Sequence, residues 1–298
     1  MFRFLLIGLL TSCGHGKKDS VPTRNPIDAI IEKSEHYMSK IAEVQDAYGF
    51  IHSDTCDSVL FSGLINVAGA KVDLLAARDD KTGQWFRTPY KDCYSNFGAS
   101  NGAARQSRST ISRDMFAGIF YSLYRSGNLV ELERIRKYGQ DHDWIMGQGT
   151  LDRVYMTPNL VETLYGLLGK KYSGPPYLWL DPGKDHQRHV VALNIILRGE
   201  SVGSIPKEAL SLLKGFLAAE PNNALFSYGV HRYTDGDQST AIGVLLNEEL
   251  FPSDMPAMRC RRWLWEREES SWSNCDHKEL STGGDLIFLS HLLTWSSR

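Results

Sequence analysis

The sequence predicts an all-α protein in which one set of helices is enclosed by another. Three observations predict it: apolar residues recur at helical spacing, strand signals are sparse, and several apolar helices carry a glycine in their middle. The spacing is clearest in "PIDAIIEKSEHYMSKIAEVQDAYG", which puts Ile27, Ile30, Ile31, Tyr37, Met38, Ile41 and Val44 on one stripe. Pro26 stands where a first helical turn accepts proline. Only "QWFRTPY" and "YLWLDP" read as extended, and both are too short to found a sheet.

The chain has 298 residues, 42% of them hydrophobic, enough to bury one large core or two modest ones. From Asn25 onward no linker or low-complexity segment interrupts it, so residues 25–298 read as one domain. Within it, six segments share a polar, often acidic start followed by an apolar helical run. They are "SDTCDSVLFSGLINVAG" (53–69), "ISRDMFAGIFYSLYRSG" (111–127), "MTPNLVETLYGLLG" (156–169), "DHQRHVVALNIILRG" (185–199), "TDGDQSTAIGVLLNEEL" (234–250) and "STGGDLIFLSHLLTW" (281–295). More charged, amphipathic stretches lie between them, such as "NLVELERIRKYGQ" (128–140) and "PKEALSLLKGFLAAE" (206–220).

Gly63, Gly118, Gly166 and Gly243 fall inside the apolar runs, and Ala192 takes the same place in a fifth. Glycine in a helix costs ~1 kcal/mol against alanine, and close helix–helix approach explains its presence. Tightly packed apolar helices and one-sided amphipathic ones are what two concentric rings need.

Six such pairs resemble the (α/α)6 toroid of the six-hairpin glycosidases and of some polysaccharide lyases. The resemblance spans most of residues 30–295 and rests on pattern, with no family motif matched outright. An irregular helical bundle or an α-solenoid is the alternative, although a solenoid would show tighter repeat identity. The resemblance implies that loops entering the inner helices line a cavity. Those entries supply Asp54, Asp57, Arg113, Asp114, Asn159, Glu162, Arg188, His189, Asp235, Asp237 and Asp285.

Helix capping is the simplest role for such residues, because carboxylates at helix N-termini meet free N–H groups and the positive end of the dipole. Two features go beyond it. The 54/57 and 235/237 pairs offer two carboxylates where one suffices, and Arg113 puts a cation where the dipole disfavours one. Glycoside hydrolysis needs a protonated and an ionised carboxyl on either side of one bond. Asp114 and Asp237 are the expected catalytic pair, and Asp57 and Asp285 are the reserves. Trp85, Arg87, Arg113, His189 and Tyr233 join Asp57 and Asp285 as expected substrate contacts. Aromatic faces stack on sugar rings, and arginines such as Arg87 and Arg232 can hold uronate or phosphate bidentately. A lyase or epimerase using His189, Tyr233 and Arg113 is the second reading. A non-catalytic surface protein binding glycans or a protein partner is the third.

His186 and His189 have a spacing that suits a metal on one helix face, but no third ligand is evident, so no metal is expected. No Walker loop, dinucleotide fingerprint, nucleophile elbow or EF-hand loop is present, and no cofactor is expected. The net charge of −2, without a basic stripe, argues against a nucleic-acid partner.

The N-terminus "MFRFLLIGLLTSCG" has Arg3, the apolar run Phe4–Leu10, then Leu10-Thr11-Ser12-Cys13. A basic region, a short apolar region and small residues form a secretory signal. Cys13 after Leu-Thr-Ser resembles the lipobox of bacterial lipoproteins. That resemblance implies removal of residues 1–12, lipidation of Cys13, a tether over 13–24 and a cell-envelope location. With Gly14 after the cysteine, the pattern in Gram-negative bacteria points to the outer membrane. Four cysteines remain in an exported chain, which permits two disulfides. Of three connectivities, Cys56–Cys93 with Cys260–Cys275 closes the shortest loops; four buried thiols are the alternative.

Overall fold

Segments that are apolar on every side become helices buried on every side. The computed structural model describes residues 25–43, 45–51, 58–90, 111–148, 153–174, 179–183, 185–251, 253 and 284–295. Its helices are α1 (Pro26–Ala42), α2 (Ser58–Val67), α3 (Met115–Arg125), α4 (Leu129–Asp141), α5 (Pro158–Leu167), α6 (Asp185–Val202), α7 (Lys207–Ala219), α8 (Ala224–Arg232), α9 (Ser239–Leu245) and α10 (Gly284–Trp295). The described residues are all-α apart from a 3-10 turn at Leu74–Ala77, isolated bridges and one antiparallel hairpin, β1 (Ile145–Gln148) with β2 (Arg153–Tyr155). The expected extended segment "QWFRTPY" yields isolated bridging, as between Arg78 and Trp85, and no strand. Among the described residues no helix is long and apolar enough to cross a membrane.

Two classes of helix are evident from burial. Every residue from Ser58 to Ile65 in α2, from Met115 to Leu123 in α3 and from Ala224 to Val230 in α8 is buried. Residues 192–197 of α6 and 286–290 of α10 are likewise buried. By contrast α1, α4 and α7 bury one stripe each: Ile30, Lys33, Tyr37 and Ile41; Glu131, Leu132, Ile135 and Gly139; Ala209, Leu213 and Phe216. Contacts among the buried helices run from α2 to α3, α6, α8 and α10, and from α10 back to α2. Outside them, α4 bridges α3 and α5, α5 lies on α3 and α6, α7 covers α6 and α8, α1 lies on α10 and α9, and α9 on α8.

The closest crossing is α2 on α3, and glycines permit it. A Cβ at Gly63 would stand 2.5 Å from the Gly118 carbonyl oxygen, and one at Gly118 would stand 2.2 Å from that of Leu60. Two of the four mid-helix glycines therefore mark a backbone-to-backbone contact. Gly166 faces only side chains, Ser201 at 3.4 Å and Val202 at 3.6 Å, and Gly243 faces open space.

The fifth buried helix differs from the sequence expectation. The 234–250 segment contains only the seven-residue α9, whose Ser239, Thr240 and Gly243 are exposed. The buried helix is α8, from the stretch "FSYGVHRY", which reads by eye as an aromatic loop. Asn223 starts it by accepting hydrogen bonds from the N–H groups of Leu225 and Phe226. Ion pairs tie the layers together. Arg78 donates to Glu131 at 2.7 Å, and Lys33 reaches Glu248 at 3.0 Å and the Leu245 carbonyl at 3.4 Å. Residues 1–24 with Cys13, and also Cys56, Asp57, Cys93, Cys260 and Cys275, lie outside the described residues.

Candidate functional site at the C-terminal ends of the buried helices

Helices α3, α6 and α8 finish around a cavity of about 420 Å³. Its walls include Tyr124 and Arg125 from the end of α3, Leu129 from the start of α4, Glu200 from α6, and Tyr228 and Arg232 from α8. A helix C-terminus carries partial negative charge, so arginines in the last turns of α3 and α8 are favourable there. Glu200 sits in the last turn of α6 and is the exception: its charge has the wrong sign for that end.

Its surroundings add to the mismatch. The Glu200 side chain is only 10% exposed, and its Oε2 is buried without a hydrogen-bond donor. The Arg125 guanidinium stands 3.9 Å away, beyond hydrogen-bond reach. Burial pushes the Glu200 carboxyl above the usual glutamate range, and the charges of Arg125 and Arg232 pull it back only in part. Arg125 is held from the far side, where its Nη2 lies 3.1 Å from His291 Nε2. A guanidinium can only donate, so that ring nitrogen accepts and the proton sits on Nδ1. Arg232 is exposed, and it influences Glu200 through its charge.

Two further tyrosines complete the cluster. Tyr121 is buried, and its hydroxyl has no partner. Tyr233 donates to the Ile196 carbonyl at 3.0 Å. Burial raises the pKa of both phenols, and Glu200 adds to the shift. Both therefore stay neutral hydroxyls. Beyond the turn after α3 an open groove of about 890 Å³ continues, lined by Gln45, Asp46, Tyr48, Asn66, Lys71 and Ser126. Ser126 lies between Arg125 and Gly127, which line the cavity, so one turn joins the two spaces.

The residues singled out in the sequence lie elsewhere, except Arg232 in the cavity wall and Tyr233 beside it. Asp114 stands before α3, eleven residues and so about 16 Å along the axis from Arg125. It is half-buried and accepts a hydrogen bond from the Ser112 hydroxyl. Arg113 beside it is exposed, and its carbonyl accepts from the Phe116 N–H. Asp237 is exposed and accepts from the Ser239 N–H at 2.9 Å, a bond that lowers its pKa. Asp235 accepts from His231 and from the Asp237 N–H. Both aspartates thus organise the turn into α9. Asp285 falls in the first turn of α10, its side chain outside the described residues.

His189 is 1% exposed, stacks on Phe226 and has its Nε2 2.6 Å from the Asn223 side-chain nitrogen. It fastens α6 to the cap of α8. Trp85 is 1% exposed, in the core. Arg87 next to it is half-buried, and its carbonyl accepts from the Val59 N–H at the start of α2. Among the described residues no cluster of three or more His, Cys, Asp or Glu forms a metal site. No protein-family model matches the chain, and neither a characterised protein nor a solved structure is significantly similar to it.

Sequence reasoning missed Arg125 and Glu200 because it attended to helix starts. The signal available was a glutamate at the end of "VVALNIILRGES", an apolar helix, where an anion is disfavoured.

Proposed function

We propose that this is a lipid-anchored protein of the bacterial outer membrane that binds a glycan in the cavity around Glu200. The helices would form a six-hairpin (α/α)6 toroid. The circle of contacts from α2 through α3, α6, α8 and α10 back to α2 supports a closed ring and contains five of the six inner helices this architecture needs. The observation that carries the binding reading is the buried, unbonded carboxylate of Glu200, in a cavity walled by two arginines and two tyrosines. A sugar supplies hydroxyl donors for Glu200, acceptors for Arg125 and Arg232, and an apolar face for Tyr124 or Tyr228. The adjoining groove gives a longer chain room to continue. Screening the full chain against a glycan array tests the reading. Saturable retention that Arg232→Gln weakens supports it, and retention of no glycan overturns it.

Hydrolysis is the second reading. Glu200 favours it, since a carboxyl raised by burial suits a general acid. The second carboxyl would have to come from another segment, because Glu200 is the one carboxylate among the described residues that line this cavity. Hydrolysis by Asp114 and Asp237 is tested by Asp114→Asn and Asp237→Asn. Abolished glycan turnover in both, with unchanged melting, supports that pair, and unchanged turnover removes it. Lyase chemistry draws less support, because His189 and Tyr233 are both engaged in structural hydrogen bonds.

A further inference from the structure

We infer that the cavity takes a ligand carrying a carboxylate, and that Glu200 is protonated when that carboxylate is bound. The inference rests on the cavity being the binding site; it does not need the rest of the ligand to be a sugar.

The geometry around Glu200 supplies the reasoning. On α3, Arg125 and the neutral Tyr121 face it; on α8, Tyr228 and Arg232; after α8, Tyr233. Behind Arg125, α10 contributes His291, whose Nε2 accepts from the guanidinium. On α5, Glu162 is taken by Arg198 of α6 at 2.9 Å, and the charged residues of α7, Lys207, Glu208 and Lys214, are exposed. Two guanidiniums and one carboxyl thus set the charge of the cavity.

Arg232 reaches solvent at the cavity, and a planar carboxylate matches its fork of donors. With Glu200 ionised, an incoming carboxylate meets a like charge in a site shielded from water, which opposes binding. With Glu200 protonated, the repulsion vanishes, and the carboxyl carries a hydrogen to donate to the ligand. One proton then moves from solvent to Glu200 as the anion binds, and no bond other than O–H forms or breaks. Burial already biases Glu200 toward the protonated form in the free protein.

A neutral hydroxyl would also satisfy Glu200, but it would leave Arg232 without an anionic partner. Inorganic phosphate would satisfy the arginines. Towards the upper end of the pH range it is doubly charged, and it would then meet Glu200 less favourably than a carboxylate does.

The test is calorimetric titration of the full chain with galacturonate, galactose, lactate and inorganic phosphate, between about pH 5 and pH 8. Titrations in two buffers of different ionisation enthalpy count the protons taken up, and this arm needs no variant. Galacturonate is expected to bind with proton uptake approaching one at the upper end of the range. Its affinity should fall by up to about tenfold per pH unit there. Glu200→Gln should keep the affinity that the wild type has at low pH and lose the pH dependence. Arg232→Gln should weaken galacturonate about tenfold or more, and galactose much less.

Galacturonate binding with no proton uptake overturns the inference, as does a pH dependence that survives Glu200→Gln, or phosphate binding as tightly as galacturonate. Galactose binding as well as galacturonate, independently of pH, overturns it and leaves the glycan reading standing. Lactate binding as well as galacturonate, with the same proton uptake, upholds it and overturns the glycan reading.

Discussion

Gly118→Ala should destabilise the protein, although alanine is the better helix former. The added methyl would stand 2.2 Å from the Leu60 carbonyl oxygen, against the 3.4 Å at which ordinary contact begins. Helices α2 and α3 must therefore part by about 1 Å, since neither obstacle is a side chain that can rotate away. Both helices are buried on all sides, and α2 also packs on α10 and α3 on α6, so a parting disturbs those contacts too. Overpacking a dense core costs about 1–3 kcal/mol, and a backbone obstacle puts this substitution at the upper end. Alanine returns only about 1 kcal/mol of helix propensity. A net loss of about 2 kcal/mol is expected from these two terms. Gly243→Ala is the control: that glycine is exposed in mid-helix with open space around it, and the same change should gain up to about 1 kcal/mol. Urea unfolding followed by circular dichroism measures both. If Gly118→Ala proves neutral or as favourable as Gly243→Ala, the close crossing of α2 and α3 is refuted.

Glu200→Gln should stabilise the free protein at neutral pH by on the order of 1 kcal/mol, because it removes a charge from a buried site without a donor. The carboxyl keeps its proton to higher pH folded than unfolded. Wild-type stability should therefore fall as pH rises from the unfolded value through the folded one, and the two curves should meet in acid, where the carboxyl is protonated in both states. A variant less stable than wild type at neutral pH would show that attraction to Arg125 outweighs burial. Asn223→Ala should cost about 1–2 kcal/mol, since Asn223 caps α8 and also bonds His189; an unchanged urea midpoint would refute that role.

The fold was legible where one local signal sufficed. Pro26 announces α1, and the structure starts it there, with Asn25 accepting from the Ile27 N–H. The glycines of α2 and α3 were readable as a close approach because glycine in a buried helix has few other uses. Gly243 was misleading for the same reason: sequence shows a glycine in an apolar run but not whether the run is buried. The helix α8 was hidden because "FSYGVHRY" mixes aromatics, glycine and charge without a clean stripe, and an all-round buried helix has no stripe to show. The cavity was not legible, since it needs three helix ends, at 125, 200 and 232, brought together by packing. Acidic residues at helix starts drew attention because they recur, yet Asp235 and Asp237 are explained by the turn they hold.

A comparison within the protein separates the structural carboxylates from the anomalous one. Glu131 is more buried than Glu200, its side chain 3% exposed against 10%, and its Oε1 likewise lacks a hydrogen-bond partner, yet its Oε2 and its place in the helix are favourable. It lies in the first turn of α4, at the positive end of the helix, and its Oε2 accepts from Arg78 at 2.7 Å and from Arg134 at 3.3 Å. Glu200 lies in a last turn, at the negative end, with its nearest guanidinium out of hydrogen-bond reach. Removing Arg78 should strand a buried charge and unfold the start of α4. Removing Arg125 should leave the fold closer to intact, since Glu200 can answer by taking a proton. A buried carboxyl that the fold leaves without a donor, beside a cavity and an exposed arginine, is poorly explained by stability. It is well explained by a ligand that completes it.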